Sequence, residues 1–232
     1  MLAAPSAVAR LGAEERAALV RYRVPRTSDD GTCSTGALLA EPFDLLASLH
    51  GSPPAGGPRE AAVLARQWVL ARAVAALAAA TGSDWLGVYR AVALPGSGLA
   101  LCKEAYVGAP SRALFPLTAA FAEHSNNSTV GMTGDAVRIR DARALGDDTP
   151  YYVCDAHVRA ELCVPIYAPG AAAREAAGGA KAEVIGIIDA EAFAPGHYEE
   201  EARAALILAA AAALGEAALA VGMLEEGGRG VL

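Results

Sequence analysis

From Arg59 to about Ala80 the apolar residues Val63, Leu70, Val74 and Leu77 recur at helical spacing, with Leu64 and Trp68 on an adjoining stripe. The pattern predicts a helix that packs one side against a sheet or a partner. Beyond it the period shortens. Trp85 to Ala93 and Gly98 to Val107 flank the turn Pro95-Gly96-Ser97-Gly98, which predicts an antiparallel hairpin. Ala136 to Arg140 gives a further brief strand, and Tyr151 to Tyr167 leads into another through Cys154-Asp155. The last strand runs from Glu183 to about Phe193, Pro195 and Gly196 punctuate it, and a helix from about Tyr198 to Leu224 follows. Two connections stand out: a polar insert from Gly108 to Ser128, with a short helix near Pro116 to His124, and an Ala/Gly-rich hairpin loop from Ala168 to Ala182. Long irregular inserts in compact domains are usually functional or disordered.

Residues 1–57 read as an extension, with a helical stretch near Ala13 to Tyr22 and a Gly/Pro-rich joint from Gly51 to Pro58. The chain therefore divides into an extension and linker (1–57), an α+β domain (58–224) and a C-terminal tail (225–232). At 232 residues it is long enough for one domain with a real core.

Side chains of one strand alternate between two faces. Glu161 therefore shares a face with Cys163, and Asp189 and Glu191 share one with Ile185 and Ile187, the two acids roughly 7 Å apart along the strand. Trp85 and Tyr89, four apart, also share a face. Apolar strands have no structural need for acids. Cys154 stands beside Asp155 in a polar turn, where a thiol is accessible, whereas Cys163 within a strand reads as a small buried hydrophobe.

Composition narrows the function. A net charge of −7 without a basic run argues against nucleic acid as a partner. The hydrophobic content of 54% is inflated by alanine. The uncharged run between Arg203 and Glu216 falls short of the roughly 20 residues a membrane span needs, and the N-terminus lacks a secretory pattern. Four irregularly spaced cysteines do not make a disulfide framework, and the expected compartment is the cytoplasm. Cys154, His157 and Cys163 lack a fourth ligand and compact spacing, so no metal site is expected. His124 and His197 read as surface or capping residues, and the sequons at Asn126 and Asn127 carry no meaning without secretion.

Taken in order, Trp85-Leu86-Gly87-Val88-Tyr89, Gly131-Met132-Thr133-Gly134, Cys154-Asp155, Glu161 and Gly186-Ile187-Ile188-Asp189-Ala190-Glu191 resemble the pattern of a GAF domain. More narrowly they resemble the free methionine-(R)-sulfoxide reductases, over roughly residues 60 to 222. The resemblance implies a GAF-like antiparallel sheet flanked by N- and C-terminal helices, with Gly131 to Gly134 in a middle loop. It also implies a homodimer through the terminal helices and a small-molecule ligand or substrate. For a reductase it implies Cys154 as nucleophile, Glu161, Asp189 and Glu191 binding the substrate ammonium and managing the proton, and Trp85 and Tyr89 as an aromatic wall. No cofactor is implied beyond an external thiol reductant such as thioredoxin. Nearby carboxylates raise a thiol's pKa, and a bound ammonium or Arg159 is the candidate to offset them at Cys154. Thr133 stands where the family has a resolving cysteine, and the second such position falls near Ser111-Arg112, so the candidates for resolution are Cys102, Cys163 or an external thiol. A non-catalytic GAF sensory or regulatory module is the alternative, and a structural subunit that grips a partner through residues 1–57 is a third reading.

Overall fold

The computed structural model describes residues 4–27, 33–50, 55–94, 98–146, 155–171 and 182–218. Its N-terminal part holds helices α1 (Ala4–Val8) and α2 (Ala13–Val20), strands β1 (Arg21–Tyr22), β2 (Pro25–Thr27), β3 (Cys33–Leu38) and β4 (Phe43–Asp44), and helix α3 (Leu45–His50). β1 pairs with β4 and β2 with β3, each antiparallel. These small ribbons were not apparent from the sequence pattern. The 24-residue helix α4 (Pro58–Thr81) follows, opened by Pro58 at its first turn and closed by Gly82 in the left-handed conformation.

The chain continues through β5 (Trp85–Leu94), β6 (Gly98–Val107), β7 (Leu114–Pro116), α5 (Ala119–Ala122), α6 (Asn126–Thr133), β8 (Val137–Ile139), β9 (Ala160–Tyr167), β10 (Val184–Ala192) and α7 (Glu201–Glu216). The strands from β5 onward form one antiparallel sheet in the order β7-β6-β5-β10-β9-β8. The predicted α+β class, hairpin and flanking helices are all present. The Ala/Gly-rich stretch 172–181, the turn at 95–97 and the tail beyond 218 lie outside the described residues.

Two helices cover one face of the sheet. Leu70, Val74 and Ala78 of α4 and Ala204, Ile207 and Ala211 of α7 bury against Leu86, Val88, Leu162, Val164, Ile188 and Ala190. The N-terminal part extends this face, because Val8, Val20 and Leu45 pack on Val63 and Leu64 of α4 and on Val92 and Cys102 of the sheet. Helices α1, α2 and α3 of the extension are thus docked on the domain. By length and composition α4 could cross a bilayer, which the sequence pattern did not suggest. It nevertheless lies along the sheet and buries Arg66 and Gln67. His197, expected as a capping residue, donates from Nε2 to the Thr81 carbonyl at the end of α4.

Two bulges decide what faces where. In β6 the register against β5 shifts so that Glu104 is the extra residue, which leaves Lys103 on the face opposite the helices and Glu104 against α4. In β10 the register shifts at Ile185. Ile185 consequently joins the helix-side core with Ile188, while Ile187 points to the other face. The expected sharing of a face by Ile185, Asp189 and Glu191 is corrected by this bulge, since alternation cannot be carried across an inserted residue.

Candidate functional site

Opposite the α4–α7 face, α6 and the segment after β6 roof a small cavity. It is lined by Trp85, Tyr89, Ser111, Phe115, Ser125, Asn126, Asn127, Glu161, Asp189 and Glu191. Strand pairing sets its floor. Glu191 stands directly across from Glu161 on one side and Trp85 on the other, and Asp189 from Cys163 and Gly87. Like charges in directly opposed positions destabilise a sheet, so two facing glutamates are an arrangement that stability alone does not favour.

Gly87 makes room for the aromatic wall. A Cβ there would fall 2.3 Å from Cη2 of Trp85, whose ring therefore lies across the glycine. Trp85 and Tyr89 have ring centroids 6.4 Å apart, and the indole Nε1 donates to the Ala109 carbonyl at 3.0 Å. Both line the cavity together with the three acids, the grouping that the family resemblance implied.

The roof comes from α6, which lies where a loop was expected. Ser125 caps it by accepting from the Ser128 amide, and Gly134 ends it in the left-handed conformation, so Gly131 to Gly134 is a helix terminus. A Cβ on Gly131 would meet Cδ2 of Leu117 at 2.8 Å, which marks the close approach of α6 to its neighbours. The first two residues of α6 reach the acids: Asn126 Nδ2 donates to Glu161 at 3.1 Å and Asn127 Nδ2 to Asp189 at 3.1 Å. Sequence reasoning passed over both asparagines as sequons. The cap at Ser125 and the glycine at 134, with the eight residues of α6 between them, were the signal that could have placed them.

Asp189 is 4% exposed, and its Oδ1 is buried with no hydrogen-bond partner. Burial, followed by the Glu161 charge, pushes its carboxyl well above the usual range, against the hydrogen bond from Asn127 and the charge of Lys103. Glu191 is likewise pushed up by burial and then by Asp189 and Glu161. Both shifts favour the protonated form of these acids relative to water. Its volume of about 20 Å³ has room for about one water molecule.

The cysteines fall in different places. Cys163 is fully buried beside the acids, and burial, Asp189, Glu161 and Glu191 all raise its thiol pKa well above the ordinary value. Cys102 is fully buried on the helix face with Val92 and Leu64, the sheet separating it from the acids, and burial pushes its thiol up to about 12. Cys154 lies outside the described residues. Arg159 forms a bidentate pair with Asp141 at 2.7 and 2.6 Å that holds the Asp141 carboxyl below its usual range. His157 donates from Nδ1 to the Asp155 carboxylate at 2.7 Å and packs on Phe193. Among the described residues no group of three or more His, Cys, Asp or Glu is arranged to hold a metal ion.

A six-stranded antiparallel sheet with helices on one face and a roofed cavity on the other defines an α+β domain built around an internal pocket. Residues 66–218 match the family model of the GAF domain, and the chain belongs to that family. No curated protein gives a significant sequence match. Among solved structures, the chain is similar to the GAF domain region of a putative membrane protein from Geobacter sulfurreducens PCA (13% identity, 72% of this chain and 100% of that one, TM-score 0.53). It is also similar to free methionine-R-sulfoxide reductase from Neisseria meningitidis in complex with its substrate (21% identity, 69% and 78% covered, TM-score 0.49). The type II free methionine-R-sulfoxide reductase from Thermoplasma acidophilum matches at 19% identity, with 65% and 92% covered and a TM-score of 0.47. At 13% identity the likeness to the Geobacter domain speaks for the fold alone.

Proposed function

We propose that the cavity binds the ammonium group of a small amino acid, and that the chain reduces free methionine-(R)-sulfoxide with Cys154 as nucleophile. One observation carries the reading: Asp189 is buried with one oxygen held by Asn127 and the other without a hydrogen-bond partner, beside Glu161 and Glu191. An unmade hydrogen bond to a buried acceptor costs about 1–3 kcal/mol, which a ligand ammonium would recover. Trp85 and Tyr89 would pack on the methyl and methylene groups.

In the reaction the Cys154 thiolate attacks the sulfoxide sulfur, and the oxygen passes to the cysteine as its bond to the substrate sulfur breaks. A carboxyl held protonated in the cavity supplies a proton to that oxygen. Methionine leaves and Cys154 is oxidised to the sulfenic acid. An external dithiol such as thioredoxin then attacks the sulfenic sulfur, releasing water, and its second thiol regenerates Cys154. An amino acid exceeds the present cavity, so the Ser111 and Asn126 edges must part for it to enter. The same family resemblance leads us to expect a homodimer through the terminal helices, to which α7 offers Leu206 and Leu208, 44% and 48% exposed. Light scattering tests this.

The second reading is a ligand-binding regulatory module without turnover. What favours it is the fate of the two candidate resolving thiols, Cys102 across the sheet and Cys163 with its thiol pushed far toward the neutral form. Turnover of methionine-(R)-sulfoxide with dithiothreitol and, separately, with thioredoxin decides between the two. The reductase consumes the R epimer only and loses at least about 1,000-fold of its rate in Cys154→Ser, as expected when a nucleophile is removed. Binding of the R epimer without consumption would establish the module.

A further inference from the structure

We propose that Tyr22, which lies outside the GAF match, is a positioning residue for the cavity: it fixes Lys103, and through Lys103 the Ser111 edge. The inference rests on the reading of the cavity as a ligand site. Lys103 is fully buried, and a buried ammonium needs partners on every side. Its Nζ donates to the backbone oxygen of Ser111 at 2.8 Å and to the Ser111 hydroxyl at 2.7 Å. Aromatic faces also surround it, with Nζ 4.0 Å from the ring centroid of Tyr106, 5.1 Å from that of Tyr22 and 5.7 Å from that of Trp85.

Two of these rings belong to the sheet and the third to the N-terminal part. Tyr22 also donates its hydroxyl to the backbone carbonyl of Lys103 at 2.6 Å, at the point where the β6 bulge interrupts the ladder. Its ring meets Tyr106 edge-on at 5.5 Å, and Tyr106 stacks on Trp85 at 6.2 Å. The row Tyr22, Tyr106, Trp85 therefore runs from the docked extension to the cavity wall. Lys103 is a cation whose field reaches Asp189 and Glu191. Its placement bears on both the shape of the entrance and the charge of the floor. Through Tyr22 the N-terminal part thus adds a wall to the cage around Lys103.

The test uses the full chain in a Trp68→Phe background, so that Trp85 is the remaining indole, and compares Tyr22→Ala and Tyr22→Phe with Leu46→Ala. Leu46 packs in the core of the same extension. Two quantities are read: Trp85 emission without ligand, and affinity for L-methionine (R)-sulfoxide by calorimetry. Tyr22→Ala should shift the emission and weaken binding about tenfold, Tyr22→Phe should fall between it and the parent, and Leu46→Ala should change neither. An emission shift in Tyr22→Ala from a parent that binds no methionine sulfoxide would uphold the cage and overturn the ligand reading. Unchanged emission in Tyr22→Ala, or equal losses of affinity in Tyr22→Ala and Leu46→Ala, would overturn the proposal.

Discussion

The same sheet buries acids on both faces and treats them in opposite ways. On the helix face Glu104, 2% exposed, meets Arg90 at 2.6 Å and Arg66 at 3.3 Å and accepts from Gln67 at 3.3 Å. Burial raises its pKa, but the two guanidinium charges and the hydrogen bonds outweigh this and hold the carboxyl below its usual range. On the cavity face Glu161, Asp189 and Glu191 crowd together with asparagine amides as close partners, and two of them are pushed upward. One buried acid is balanced to hold the fold. For Asp189 and Glu191 burial and the neighbouring acids outweigh the Lys103 charge, the imbalance that the proposed ammonium ligand would relieve.

If this contrast is right, removing the balanced acid has the largest effect on stability. Glu104→Gln leaves Arg66 and Arg90 buried without their counter-charge and should cost about 3–5 kcal/mol in urea denaturation. A loss under about 1 kcal/mol would mean that the network contributes no more than a surface ion pair does.

Asp189→Asn should separate function from stability. It should weaken methionine sulfoxide binding about 100-fold, as the loss of a charge-assisted bond implies. It should also raise Tm at pH 8 by about 2–4 °C for each 1 kcal/mol gained by removing an acid that burial disfavours when ionised. A lower Tm with intact binding would reverse the assignment.

The pH profile sharpens the contrast. Glu104, with a lowered folded pKa, binds fewer protons folded than unfolded, so its contribution is present above the ordinary carboxylate range and lost as pH falls below about 4. Asp189 and Glu191, with raised folded pKa values, do the reverse, and their contribution is lost as pH rises from about 4 through those values. Urea midpoints from pH 3 to 9 should therefore show Asp189→Asn flattening the alkaline decline and Glu104→Gln flattening the acid one.

The smallest expected change is in Asn127→Ala. It removes one hydrogen bond to Asp189 and should cost about 1–2 kcal/mol of stability while weakening binding severalfold. An affinity unchanged from the parent would show that Asn127 does not orient the acid.

Much of this site was legible in the sequence because it is built on strands. Period-two alternation paired Trp85 with Tyr89 and Asp189 with Glu191, the family resemblance gathered these with Glu161, and long-period repetition found α4 almost to the residue. What alternation cannot see is an inserted residue, and so Ile185 was placed on the wrong face. Lys103 and Glu104, adjacent charges inside an apolar strand, had to point to opposite faces, but only the bulge and the partners Ser111, Arg66 and Arg90 show what each does. Asn126 and Asn127 were hidden by a reading of their segment as polar insert. The contact of Tyr22 with Lys103 joins residues 81 positions apart, and no local pattern encodes it.

The most direct test of the unbalanced cavity is a calorimetric comparison of L-methionine (R)-sulfoxide with 4-(methylsulfinyl)butanoic acid, which lacks the amine and is otherwise the same. Binding of the amino acid at least about 100-fold tighter than the deaminated acid is the result expected if the carboxylates recognise an ammonium. Equal affinity for the two would contradict it, and the acids on the cavity face would need another explanation.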